Sequence, residues 1–397
     1  MVKKLKKINK GANLKILYLL GLILALATAI PTYIQSNFIG QFVSLTGVSI
    51  FFVVSNLITF FVIIFFPNFI KKLTNYFLTK IVLAVYGASL LALSIADNTL
   101  AVFVSFLFLS ISSNLIWINM DFFIESFSSD AKTGRIRTIY FTFINLGWIL
   151  APLFSSYLIK RGNYSWPFLA AALVLIPFYL IFIYHGRGLQ DKVKYHKINI
   201  RRTLKNIWAN RNLRGVFSLS LLLNLFFNSA VVFIPIYLHQ NLGLSWDQLG
   251  LVFAFMLLPF ILFEIPAGII ADKKLCEKEI FQIGFSILII SLLSFFWVKS
   301  NNVLIWAFLL FFSRIGASLI EAMRESYFFR IVDVADVEYI DFFRTSTPLG
   351  YLIGSALGII VFKFYSLENL FLILAIVMLS SFYFLHLMKN NKMPNSK

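Results

Sequence analysis

From Ile16 to Ile70 no residue carries a charge, and further charge-free runs cover 81–96, 98–120, 138–159, 162–186, 215–246, 281–298, 345–362 and 369–388. A hydrocarbon layer about 30 Å thick is crossed by a helix of about 20 apolar residues, so each run holds one span and the longest holds two. Charged residues make up 13% of the chain, against about 25% in soluble domains, and Phe alone numbers 46. Such a chain folds in a bilayer, where only a helix or a closed barrel bonds its backbone groups internally. Apolar periodicity predicts an all-α membrane protein with helices near 13–35, 42–66, 79–96, 99–123, 136–159, 166–185, 213–238, 246–270, 279–298, 302–325, 338–363 and 367–388.

Basic residues near span ends stay on the cytoplasmic side. That side takes the Lys3–Lys10 tail, Lys71 and Lys72, Lys132, Arg135 and Arg137, the segment Arg187–Arg214, Lys273, Lys274 and Lys278, and Lys389 and Lys392. The opposite loops hold only Lys160, Arg161, Lys299 and Lys363. Both termini are therefore expected in the cytoplasm, with the chain multi-pass in the inner membrane of a prokaryote. The net charge of +18 is accounted for by this topology rather than by nucleic-acid binding. Ala27-Thr28-Ala29 looks like a signal-peptidase site, but the apolar run is long for a signal peptide and Pro31 follows the candidate cut, so the first helix is read as retained.

Little in the chain suggests catalysis. Cys276 is the only cysteine, and His185, His196, His239 and His386 lie near span ends or in the linker, no two at metal-ligand spacing. No Gly-rich phosphate loop occurs. The expectation is a monomer that is not an enzyme and needs no cofactor or metal, with the lipid bilayer, a small-molecule substrate and a coupling ion, the proton, as partners.

The basic stretch 187–212 divides the chain into an N-terminal six-helix bundle (1–186) and a C-terminal one (213–397), and reads as a cytoplasmic linker. Pro67 and Pro266 hold corresponding places in the second and eighth spans, and the Asp130 to Gly147 spacing recurs from Asp333 to Gly350. Parallel halves of this sort place a substrate site at the midplane between them.

The segment Pro266-Ala267-Gly268-Ile269-Ile270-Ala271-Asp272-Lys273-Lys274, between the eighth and ninth spans, resembles the Gly-x-x-x-Asp-basic loop of the major facilitator superfamily. In the first half, Pro67-Asn68-Phe69-Ile70-Lys71-Lys72-Leu73 has Phe69 where the pattern has Gly, and lacks the Asp. A second segment, Gly147-Trp148-Ile149-Leu150-Ala151-Pro152-Leu153-Phe154-Ser155-Ser156, is similar to a span-five stretch of that superfamily's proton-coupled drug exporters, with Ala151, Ser155 and Ser156 replacing glycines. Read without the resemblance, it is a seam of small residues for helix packing. The resemblance implies two pseudo-symmetric six-helix bundles, alternating access, and a cavity lined by the first, fourth, seventh and tenth spans.

Polar residues on those four spans are the candidates to line the cavity: Thr28, Thr32 and Gln35; Asn114 and Trp117; Asn224 and Asn228; and Arg314. Arg314 lies about eleven residues into its helix, near mid-membrane, where insertion of a charge costs roughly 2.5–3.5 kcal/mol. Glu264 and Glu321 are expected to form a proton-coupling network with it. Asp121, Glu125, Gly268, Asp272, Arg324, Asp341 and Arg344 form a candidate cytoplasmic gate, with Gly268 admitting a neighbouring helix closely and Asp272 finding its partner in Arg324 or around Asp341–Arg344. The expected function is secondary active transport. The span-five segment favours efflux of amphipathic compounds by proton antiport; uptake of a sugar or an organic anion is the alternative, and an Arg314 that faces the central cavity suits an anion. A channel-like pore is the reading from a different class.

Overall fold

The computed structural model describes residues 10–127, 133–161, 163–186, 200–273, 277–332 and 337–388, and among these no strand occurs. Twelve helices are long and apolar enough to cross a membrane: Asn13–Ile39, Leu45–Phe66, Asn75–Ile95, Thr99–Ile124, Ile139–Ile159, Ser165–His185, Arg211–Asn241, Trp246–Ala271, Glu277–Trp297, Val303–Ile331, Phe342–Phe364 and Leu367–Leu387, numbered here spans 1 to 12. All twelve expected spans are found. Span 3 begins earlier than hydropathy predicts because the Thr74 side chain caps it, accepting from the Phe77 N–H. Span 10 runs on past its apolar stretch through the charged residues Glu325 and Arg330.

Neighbour relations repeat between the halves. In the first half span 1 packs on spans 5 and 6, span 3 on spans 4 and 6, and span 2 on span 4. In the second half span 7 packs on 11 and 12, span 9 on 10 and 12, and span 8 on 10. Adding six to each span number converts one set into the other. The two large contacts between halves, span 5 with 8 and span 2 with 11, are exchanged by the same operation. Two pseudo-symmetric six-helix bundles therefore face each other across these paired seams.

Lipid offers helices no hydrophobic reason to associate, so close packing of small residues and buried hydrogen bonds must hold the seams. A Cβ on Gly147 would lie 2.7 Å from Ala25 Cβ and 3.0 Å from the Leu22 carbonyl oxygen, which brings span 5 against span 1. Pro31 lacks an N–H and so leaves the Ala27 carbonyl without its helical donor; the Tyr86 hydroxyl of span 3 donates to it at 3.3 Å. Just beyond, the span breaks at Tyr33–Ile34, and the Ser155 hydroxyl of span 5 donates to the Ile30 carbonyl. Span 11 meets span 7 through Gly350 and Gly354, which lie against Asn224 and Asn228, while Gly358 lies against Phe233 and against Ser49 of span 2.

The end of the bundle shared by Lys10, Met388 and the linker helix Ile200–Ala209 is called the basic end below, and the opposite one the far end. Asn206 on the linker helix donates to the Tyr339 hydroxyl at 3.2 Å, tying the linker to the start of span 11. A Cβ on Gly316 of span 10 would meet the Gly284 carbonyl of span 9 at 2.7 Å, whereas one on Gly268 of span 8 meets nothing within 4 Å. Gly316→Val is accordingly expected to destabilise the bundle by about 1–3 kcal/mol through overpacking. Gly268→Ala should stabilise it by about 0.5–1 kcal/mol through helix propensity. Thermal unfolding of both variants in one detergent checks the contrast, and equal melting would deny the span 9–10 crossing its packing role.

Candidate functional site

Successive helical residues turn by about 100°, so Glu321 and Glu325 lie within roughly 20° of the Arg314 direction, and Gly316 lies nearly opposite. Because Gly316 is pressed onto span 9, the charged face of span 10 is turned inward, away from lipid. Arg314 is 1% exposed. Its guanidinium stands over the rings of Phe226 and Phe227 of span 7, at 5.2 and 5.9 Å. The hydroxyl of Tyr33, from span 1 in the opposite bundle, lies beside it, and Tyr351 of span 11 is close to both. Arg314 thus stands where the halves meet. It forms no ion pair among the described residues, and its Nη1 is buried with no acceptor.

Arg314 forms no direct ion pair with Glu264 or Glu321 among the described residues, although Glu321 lies within electrostatic reach of both. Glu321 is bound instead by Arg324, one turn on, at 3.2 Å. Arg324 also donates to Ser220 of span 7 at 3.0 Å and lies 3.7 Å from Glu325. Arg344, at the last turn before span 11 breaks at Thr345, grips Glu325 with two nitrogens at 2.8 and 3.3 Å. Its Nε reaches Asp121 of span 4 at 3.5 Å, so this ion-pair chain crosses between the halves. Among the described residues Arg324 thus has partners on its own helix and on span 7. The side chains of Glu125, Asp272 and Asp341 lie outside the described residues. Arg330 pairs within its own half, with Glu277 of span 9 at 3.0 Å.

Glu264 lines a cleft of about 320 Å³ between spans 5 and 8, with Phe141, Thr142, Asn145, Phe260 and Gly268 among its walls. No side chain bonds its carboxylate: among the described residues it has neither an ion pair nor a hydrogen bond. Gly268, expected to admit a neighbouring helix closely, borders this open space instead, since spans 5 and 8 have parted here. At the far end the same two spans touch, Gly250 meeting Ser156 and Pro152. Tyr33 stacks on Phe253 at 5.0 Å, Gln240 donates to Asn37 at 3.0 Å, and Tyr164 meets Trp246 at 5.6 Å. The halves are sealed by neutral contacts at the far end and separated beside Glu264 towards the basic end.

The other cavity candidates are more fully engaged in the helices. Asn224 and Asn228 lie in the seam between spans 7 and 11, donating to Ser346 at 3.4 Å and Ser355 at 2.9 Å, because the glycines opposite let span 11 come close. Thr28, Thr32 and Asn114 bond to carbonyls one turn back in their own helices. Gln35 and Trp117 are half-buried, Trp117 against the apolar core. The sequence reading missed Tyr33 and Tyr351 beside Arg314, Asn145 and Thr142 in the cleft, and the buried Glu277. Glu277 alone carries a signal that could have found it, an acid in the first turn of a helix.

Two helical bundles exchanged by a shift of six spans, with a charged column running between them, define a multi-pass membrane protein of the fold used by secondary transporters. A family model of the Major Facilitator Superfamily matches residues 16–323 and 216–397. The chain belongs to that superfamily. Similar solved structures include a bacterial homolog of the human lysosomal transporter Spinster, inward-facing and unoccupied, at 11% identity over 96% of this chain and 95% of that one, with a TM-score of 0.69. A POT family transporter in complex with 5-aminolevulinic acid is 13% identical over 93% of this chain and 94% of its own, with a TM-score of 0.76. An auto-inhibited POT family peptide transporter is 11% identical over 96% and 99%, with a TM-score of 0.77. These likenesses show the fold. No curated protein matches the chain.

The pair Asp121–Arg344 is partly hydrated, with side chains 33% and 22% exposed, so breaking it releases about 0.2–1 kcal/mol of closure. In a Cys276→Ser background with Asn145→Cys, adding Asp121→Asn should speed labelling by a membrane-impermeant maleimide from the basic end by about 1.5- to 5-fold. Unchanged labelling would remove Asp121 from any gate.

Proposed function

We propose that this chain is a proton-coupled secondary transporter that carries a small organic solute by alternating access, the halves 1–186 and 213–397 rocking about the Arg314 level. The observation that carries the reading is Glu264, a carboxyl group bonded to no cation among the described residues, on the wall of a cleft that opens between the halves. Such a group can take a proton while the cleft is wet and surrender it once the halves close and reopen on the other side. The neutral seal at the far end and the parting of spans 5 and 8 beside Glu264 support a state in which the cleft is reached from the basic end, while the Asp121–Arg344 pair still joins the halves between spans 4 and 11. Positive-inside charge supports a cytoplasmic assignment for that end, in keeping with an inner-membrane protein. The ion-pair chain from Asp121 through Arg344 to Glu325 is the linkage the opening movement strains.

Export of amphipathic compounds loses its main support. The span-five segment behind that reading is occupied in packing: Gly147 on span 1, Ser155 on the Ile30 carbonyl and Ser156 on Gly250. A fold neighbour that holds 5-aminolevulinic acid supports a small solute as cargo.

Proteoliposomes with a trapped pH-sensitive dye test the coupling. A panel of monocarboxylates, amino acids, dipeptides and amphipathic amines is added outside, and the solute that moves protons is retained. Glu264→Gln is expected to abolish that proton movement. Glu368→Gln, whose carboxylate pairs with Lys299 at 2.9 Å at the far end, should leave it unchanged. Undiminished proton movement in Glu264→Gln would reject the coupling role.

A further inference from the structure

The position of Arg314 bears on what the solute must carry, an inference that rests on the transport reading above. A guanidinium has five N–H donors in a planar fork and keeps its charge in any protein setting. Here it is 1% exposed, at mid-membrane depth, and makes no ion pair among the described residues. The nearest carboxylate on its own helix face, Glu321, is already held by Arg324 at 3.2 Å. The Phe226 and Phe227 rings attract the cation from one side but accept no in-plane N–H bond. Tyr33 supplies a single hydroxyl, and Nη1 remains buried with no acceptor. A buried cation that feels its nearest carboxylate only at a distance, without a direct ion pair, is a costly arrangement for a protein to hold. In a protein that exchanges cargo, such a group has donors to offer an arriving anion.

We propose that Arg314, with the hydroxyls of Tyr33 and Tyr351, forms the subsite for the anionic group of the transported solute, a planar carboxylate bound by the guanidinium fork. The Phe226–Phe227 rings face the apolar remainder of the solute. Arg314, Tyr351 and the two phenylalanines belong to the second half and Tyr33 to the first, so a bound carboxylate is held by both bundles at once. Occupancy therefore changes the contact that rocking must break, which is how cargo and conformational change become linked. Carboxylate and inorganic phosphate share the chemistry of charge-assisted hydrogen bonding, and the fork geometry favours the planar partner.

The test is binding to the purified full-length chain without any gradient, read by thermal unfolding and titration at constant ionic strength. The probes are acetate, benzoate and succinate, their neutral counterparts acetamide and benzamide, the cation benzylamine, and inorganic phosphate. At least one carboxylate is expected to raise the unfolding midpoint while its amide does not. Arg314→Gln should weaken that carboxylate about tenfold to a hundredfold. Arg314→Lys should keep part of the affinity and lose the preference for carboxylate over phosphate. Tyr351→Phe removes only a hydroxyl, and should weaken the carboxylate without lowering the midpoint of the unliganded protein. That variant carries the test if Arg314→Gln fails to fold.

Stabilisation by benzylamine alone, by amides as well as acids, by phosphate in preference to every carboxylate, or by no anion at all would overturn the assignment, as would full carboxylate affinity in Tyr351→Phe or in a folded Arg314→Gln. The same titration on Glu264→Gln keeps the two proposals apart. Arg314-dependent binding that survives in a variant with altered or unaltered proton coupling upholds the anion subsite whichever way the coupling result falls.

Discussion

A guanidinium in the middle of a hydrocarbon layer has to be enclosed by protein, and much of the architecture can be read as that enclosure. Span 10 is turned by the crossing of Gly316 on Gly284 so that its charged stripe faces inward. Span 7 presents two aromatic faces to the cation, and spans 1 and 11 present hydroxyls. Neither bundle encloses Arg314 alone. The cost of exposing that charge to lipid, several kcal/mol at least, therefore favours the association of the halves.

The two ends of the bundle are held by different physics. The far end uses stacked rings, an amide-to-amide bond between Gln240 and Asn37, and a near-contact of backbones at Gly250. These contacts depend on close fit and are little affected by salt. Towards the basic end the halves are joined by Asp121 and Arg344, a pair that water partly reaches. Hydrated ion pairs are individually weak, and a weak link is what a reversible opening requires.

Much of this was legible in the chain. Charge-free runs marked ten of the twelve spans and apolar stretches carrying isolated charges the other two, since hydrocarbon thickness leaves little freedom in helix length. The helical period placed Glu321 and Glu325 on the Arg314 face. What periodicity could not say is which neighbour each face meets. Asn224 and Asn228 read as cavity residues because they share a face of span 7, but that face is closed by glycines more than a hundred residues away in span 11. Glu264 and Arg314 were paired on charge alone, whereas the structure gives Glu321 to Arg324. Tyr33 and Tyr351 carried no signal among the many aromatics, because their role comes from bringing together three helices distant in sequence.

Span 11 is interrupted at Thr345, between a residue shared by both bundles and one fixed in the second. Arg344 on one side is bonded to Asp121 in the first bundle and, more closely, to Glu325 in the second, and Ser346 on the other is fixed to Ser220 at 2.8 Å in the second. An unbroken helix would transmit any displacement of its tip along its whole length and loosen the glycine ladder behind it. The interruption acts as a knuckle: the short segment Val337–Arg344, tied to both bundles through Arg344, can bend while Ser346–Phe364 stays keyed to span 7.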